Sequence, residues 1–176
     1  MPFYLEEADI LSRVAGLRSV LIVPCKFCPA ASLAVREAMP YIEPLRHFLK
    51  TQAYELFVQE VRQRLEDEGI RAAVFDSKLP HQYVACMWTA ERRRKLARRA
   101  ASFDGVVVLG CEATTETVRE ALKPVECDVI QGMEMVGIMN ILPSITFPFN
   151  VRINVQGITP VTASAPERRR ETLPTS

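Results

Sequence analysis

Short, wholly apolar runs alternate along the chain with longer segments in which apolar residues recur every three or four positions. Ser19–Val23, Arg71–Phe75, Val106–Leu109 and Cys127–Gln131 are the short runs. The first and third are rich in β-branched residues, as strands buried on both faces are. Between them, apolar positions at helical spacing predict helices over Pro29–Met39, Pro44–Glu68, Ala90–Phe103 and from Thr114 or Thr115 to Leu122. Within the long second segment Tyr54, Phe57, Val61 and Leu65 share one face, with Leu45, Phe48 and Leu49 before them. Gly69 follows as a left-handed stop, and Thr89 caps the basic helix. A leading helix is expected over Glu6–Leu17. Beyond Gly132 the period is lost, until Asn150–Val155 alternates as a half-exposed edge strand.

Strands separated by helices imply a mostly parallel sheet. The expected fold is α/β, a single-domain three-layer sandwich with four or five strands in a flavodoxin-like or Rossmann-like order. The first and third strands are neighbours, and a short edge strand lies near the C-terminus. Residues 1–160 form this domain. The Pro-, Thr-, Ser- and Arg-rich residues 161–176 read as a disordered tail.

Composition narrows the function classes. With 48% hydrophobic and 24% charged residues the chain has a globular balance, and its 176 residues suit one domain. A net charge of +1 steers it toward neither nucleic acid nor a membrane surface. The acidic start Met1–Glu7 has no signal-peptide pattern, and Met135–Phe149 is too short and too proline-broken to span a bilayer. A cytoplasmic protein is expected, in which closely spaced cysteines are metal-binding or catalytic rather than disulfide-bonded.

That inference gives weight to Pro24-Cys25-Lys26-Phe27-Cys28-Pro29, directly after the first strand. Two thiols three positions apart can bind one metal or close a small disulfide ring. Cys28 at a helix N-cap, with Pro29 opening the helix, gains thiolate character from the helix dipole, and Lys26 adds positive charge. Cys111 ends the third strand, and Cys86 precedes the basic helix on the same sheet edge. The expected ligand set is Cys25, Cys28, Cys86 and Cys111, holding zinc or an iron–sulfur cluster. A dithiol that exchanges with Cys111 or Cys86 fits the same residues. Cys127 opens the fourth strand, on the opposite edge, and reads as structural. The C-x-x-C-P turn is similar to that of thioredoxin-like proteins, and the resemblance covers that turn alone.

Other residues face the same crevice. Asp76, at a strand end, and Thr114 and Thr115, at a helix start, are candidates for binding an anionic cofactor, although turn and capping roles serve equally. Glu134 could act as a general base. His81 could be a ligand or acid–base group, while His47 reads as structural. No glycine-rich phosphate loop and no G-x-S-x-G elbow is present. The basic helix Arg92–Arg99 reads as a wet helix face. The Met133–Ile141 segment could serve a redox partner or a homo-oligomer if exposed.

Overall fold

A computed structural model describes residues 2–44, 50–77, 79–147 and 149–161. Among these, seven strands form two sheets. The parallel sheet contains β2 (Ser19–Pro24), β3 (Arg71–Val74), β4 (Gly105–Leu109) and β5 (Asp128–Gln131), in the order β3-β2-β4-β5. The antiparallel sheet contains β1 (Phe3–Glu7), β6 (Met133–Thr146) and β7 (Asn150–Pro160), in the order β1-β6-β7. The helices are α1 (Ile10–Arg13), α2 (Cys28–Arg36), α3 (Gln52–Asp67), α4 (Ala90–Ala100) and α5 (Glu112–Leu122).

The parallel sheet is covered on both faces because its central strands alternate two apolar sets. Val20 and Ile22 of β2 join Val107 and Leu109 of β4 against α1, α2 and α3. Leu21, Val23, Val106 and Val108 point the other way, to Leu96 and Ala100 of α4 and Val118 and Leu122 of α5. Every residue of β2 and β4 is buried. Continuous hydrophobicity in sequence is the expected signature of such strands. Gly69 adopts φ +78°, as the stop after α3 requires, and the Thr89 side chain accepts from Arg92 N–H at the start of α4.

Several expectations are corrected. The leading helix over Glu6–Leu17 is instead strand β1 followed by the four-residue α1, because Leu5 and its neighbours pair antiparallel with β6. The long second helix starts at Gln52, after an extended Thr51. Leu45 to Leu49, His47 among them, lie outside the described residues, as do residues 162–176. The α5 helix is capped by Cys111 rather than by Thr114 or Thr115, which occupy its first turn. The C-terminal strand is not a short edge of the parallel sheet. It is the eleven-residue β7, paired with β6 in the second sheet. The residues from Met133 onward, where no period was visible, are the centre of that sheet. Met133 and Met139 are wholly buried there, which withdraws them from any docking role. No helix among the described residues is long and apolar enough to cross a membrane.

Leu65 is fully buried in the α3 face of the core. Leu65→Ala is expected to cost about 3 kcal/mol through lost transfer energy and an unfilled cavity. Urea denaturation measures this, and a loss below about 1 kcal/mol would show that α3 is not a core element.

Candidate functional site

The chain leaves β2 for α2 on one face of the sheet and leaves the adjacent β4 for α5 on the other. Divergent connections between neighbouring parallel strands open a crevice at their carboxyl ends. Cys25, Cys28 and Cys111 all lie there. Cys25 N–H continues the β2–β4 ladder by donating to Leu109 O at 2.9 Å. Cys28 is the first residue of α2, one position inside the helix relative to the sequence expectation, with Phe27 as N-cap. Cys111 is the N-cap of α5. Two helix N-termini therefore converge on the thiols from opposite faces of the sheet.

The turn into α5 is tight. A Cβ on Gly110 would stand 2.8 Å from Thr114 Cβ, so a side chain there would displace the residue that contacts Cys111. Thr114 Oγ1 lies 3.8 Å from Cys111 Sγ. Thr114 and Thr115 are both fully buried, Thr115 donating to Cys111 O at 3.3 Å. They brace the thiols and offer no surface for an anion in this conformation.

The three thiols are inequivalent. Coupling to the Cys28 thiol, with the N–H groups of Thr114 and Ala113 and the Thr114 hydroxyl, lowers the Cys111 pKa to about 5 against the opposing effect of burial. The same coupling raises the pKa of Cys28, which keeps its proton. The pair thus shares one proton and one negative charge. Burial pushes Cys25 upward in spite of hydrogen bonds from the Ala85 and Phe27 backbone and the Thr114 side chain. The coupled pair is therefore Cys28–Cys111, whereas the C-x-x-C spacing pointed to Cys25–Cys28. Cys28 is half-buried, while Cys25 and Cys111 are buried.

Cys86 sits in a 3-10 turn on the same edge, where partial desolvation and then the Cys111 charge raise its pKa, and the residue is exposed. Among the described residues no three His, Cys, Asp or Glu side chains are placed to hold a metal ion. Cys127 lies at the opposite edge, just before β5. Glu134 is exposed on β6 and pairs with Arg13. His81 lies in another 3-10 turn, exposed.

Lys26 does not serve the thiols. Its ammonium, 4% exposed, bonds Glu55 at 2.7 Å and Asp76 at 3.0 Å, and lies 5.4 Å from the centre of the Tyr83 ring. Asp76, a candidate cofactor ligand in sequence, is thereby engaged in holding the C-x-x-C loop against β3. A recess of about 280 Å³ opens beside that loop, walled by Phe27, Tyr41, Ile42, Pro80, Tyr83 and Val84. Two tyrosines that sequence reasoning missed also frame the site. Burial pushes the Tyr41 phenol up to about 12. Tyr54 Oη donates to Leu109 O at 2.9 Å, beneath Cys25. Tyr54 carried a helix-face signal only, and Tyr41 carried none.

Two predictions test this geometry. Cys28→Ala removes the thiol coupled to Cys111, so the midpoint of the ultraviolet thiolate signal should rise well above about 5. An unchanged midpoint would mean that the helix N-terminus alone sets it. Lys26→Met leaves Glu55 and Asp76 facing an apolar side chain. The expected cost is about 2 kcal/mol, discounted from a buried-pair value because both carboxylates stay partly exposed. Burial raises the Asp76 pKa, but the Lys26 hydrogen bond and charge lower it overall. Its contribution to stability is complete above the ordinary 3.8 and lost as pH falls through the lower folded value. For Lys26 burial lowers the pKa, but the Glu55 and Asp76 bonds and charges raise it overall. That contribution is complete below 10.5 and lost as pH rises through the higher folded value. The difference between wild type and variant should therefore form a plateau between these limits, read by denaturation across pH.

Searches of family models, curated proteins and solved structures yield no match to this chain.

Proposed function

We propose that the protein is an intracellular dithiol protein that exchanges thiols with disulfides, using Cys28 and Cys111 as the redox pair. The carrying observation is the convergence of two helix N-termini, with Cys28 opening α2 and Cys111 capping α5 beyond the paired strands β2 and β4, where Cys111 is held low. A thiolate at neutral pH is what exchange requires. The strand order β3-β2-β4-β5 supports a flavodoxin-like reading of the parallel unit, with the antiparallel sheet as part of one domain over 1–160. Zinc or an iron–sulfur cluster on the same cysteines is the competing reading. The buried Cys25 and the exposed Cys86 favour the dithiol.

Charge and access are divided between the partners. Cys111 carries the charge in the resting pair, and Cys28 has the exposure. In a minor state of the pair the shared proton sits on Cys111, and the Cys28 thiolate of that state attacks one sulfur of an external disulfide R–S–S–R. A Cys28–S–S–R bond forms and RS⁻ leaves. Cys111 then loses its proton to the departing thiolate and attacks the Cys28 sulfur. This closes Cys28–Cys111 and releases the second RS⁻. Two electrons pass from the protein dithiol to R–S–S–R, which is reduced to two thiol equivalents. Cys25 is a buried neighbour that takes no part in the exchange. Lys26 positions the loop.

Incubation of the reduced protein with an aromatic disulfide, followed by peptide mass spectrometry, tests the scheme. A Cys28–Cys111 linkage is expected in the wild type and in Cys25→Ser, and a mixed disulfide trapped on Cys28 in Cys111→Ser. Loss of exchange in Cys25→Ser, with a Cys25–Cys28 linkage in the wild type, would sink this assignment. Stoichiometric iron with sulfide, or zinc, after anaerobic purification would transfer the site to the metal reading.

A further inference from the structure

The β6–β7 ribbon outruns its sheet. β1 pairs only with Met133–Ile138, and beyond this β6 and β7 continue as a two-stranded ribbon out to Thr146 and Asn150, its β7 edge held by a bridge between Ile42 and Val151. Side chains directly opposite across an antiparallel pair share a face. In the overhang, Ile141 pairs with Val155, Pro143 with Ile153 and Ile145 with Val151, so one face is wholly apolar. The other face carries Leu142 with Asn154, Ser144 with Arg152 and Thr146 with Asn150. The apolar face continues, by alternation along β6, the face that buries Met133 and Met139. At its far end the cover runs out. Ile145 is 75% exposed, and beyond it Phe147 is 94% and Phe149 66% exposed. Phe149 also takes φ +76°, a conformation that glycine adopts without strain and a phenylalanine does not.

Ile141, Val151, Ile153 and Val155 are half-buried, so the uncovered part of the face is its outer end at Pro143, Ile145 and the phenylalanine tip, and an exposed apolar end on a two-stranded ribbon calls for a second layer. We infer that this layer is the same face of a second copy of the chain, packed about a two-fold axis as two stacked ribbons. Charge selects that occupant. The six paired residues of the face carry none, so there is nothing for a charged partner to complement. A two-fold axis sets the face on itself without opposing like charges. The only charge in the overhang, Arg152, lies on the other face and donates to Ala38 O. The area suffices. With an aromatic side chain contributing about 150–250 Å², the exposed tip and face supply on the order of 500 Å² per copy, which brings the total to the roughly 1,000 Å² of a specific interface.

Sedimentation across a concentration series tests the inference on the full chain. The wild type is expected to dimerise, and Ile145→Glu to weaken the dimer at least tenfold. Thr146→Glu, on the polar face, should change it less than twofold. Ile145 is exposed in the protomer, so far-ultraviolet circular dichroism of Ile145→Glu should match the wild type. Phe149→Gly provides the second test: relief of the positive φ should leave the melting temperature of dilute protein no lower than wild type, while association weakens. A wild type that stays monomeric, or dimers indifferent to Ile145→Glu, would overturn the proposal. So would a monomer that sediments with phosphatidylcholine vesicles through Ile145, which would assign the face to a lipid surface.

Discussion

The pairing of β2 with β4 is the constraint on which the rest of the molecule depends. These strands are buried on both faces and hydrogen bonded in parallel from Val20 with Gly105 to Pro24 with Leu109. Once they are neighbours, their helices must lie on opposite sides of the sheet, because each apolar set needs its own cover. The carboxyl ends then separate into a gap lined by two helix N-termini, each with unsatisfied N–H groups and partial positive charge. Leu109 O shows how closely this is held: it accepts both Cys25 N–H and Tyr54 Oη. The cysteines occupy a position where backbone geometry already favours negative charge.

That environment divides labour among chemically identical side chains. Cys25 has the largest desolvation cost and stays neutral, Cys111 receives the donors, and Cys28 is coupled to it and keeps its proton. Lys26 could have stabilised a thiolate from inside the motif. Its charge goes instead to Glu55 and Asp76. The consequence is mechanical: the C-x-x-C loop is tied at once to α3 and to the end of β3, and its backbone is pinned again where Lys26 N–H donates to Tyr83 O at 2.8 Å. Thiol acidity in this molecule comes from helix ends and a shared proton, with no neighbouring cation required.

The parallel sheet was legible in the sequence because its central strands are buried on both faces, and uniform burial leaves uniform hydrophobicity. The adjacency of the first and third strands, and with it the meeting of Cys28 and Cys111, followed from that. The antiparallel sheet was illegible for the same physical reason in reverse. β6 passes from a buried proximal half to a mostly exposed overhang, so no single period describes Met133–Thr146. β1 is five residues long, and only its pairing with β6 makes it a strand. Residue spacing put Cys25 and Cys28 together as the working pair. It could not show that the helix begins at Cys28 and turns that thiol toward Cys111. Tyr41 was invisible because its role arises from distant contacts.

Tyr41 also joins the two halves of the molecule. Its N–H donates to Val151 O at 2.8 Å, and Ile42 bridges the same residue of β7, so the segment after α2 is stitched to the overhanging ribbon. Thr51 Oγ1 binds Tyr41 O at 2.6 Å and fixes the segment to the start of α3. On its other side the Tyr41 phenol lies near Cys28 and Cys25. From the other end of the second sheet, β1 meets α2 at Ser32, whose hydroxyl accepts from Leu5 N–H at 2.9 Å and lies 3.1 Å from Phe3 O and 3.0 Å from Cys28 O. The antiparallel sheet therefore touches the thiol site twice, once through each outer strand. Anything that orders the ribbon orders Tyr41, and anything that shifts β1 disturbs the Ser32 contacts at the start of α2. Packing of the ribbon and the placement of the Cys28 thiol are in this way properties of one connected structure, with Val151 and Tyr41 as the joint.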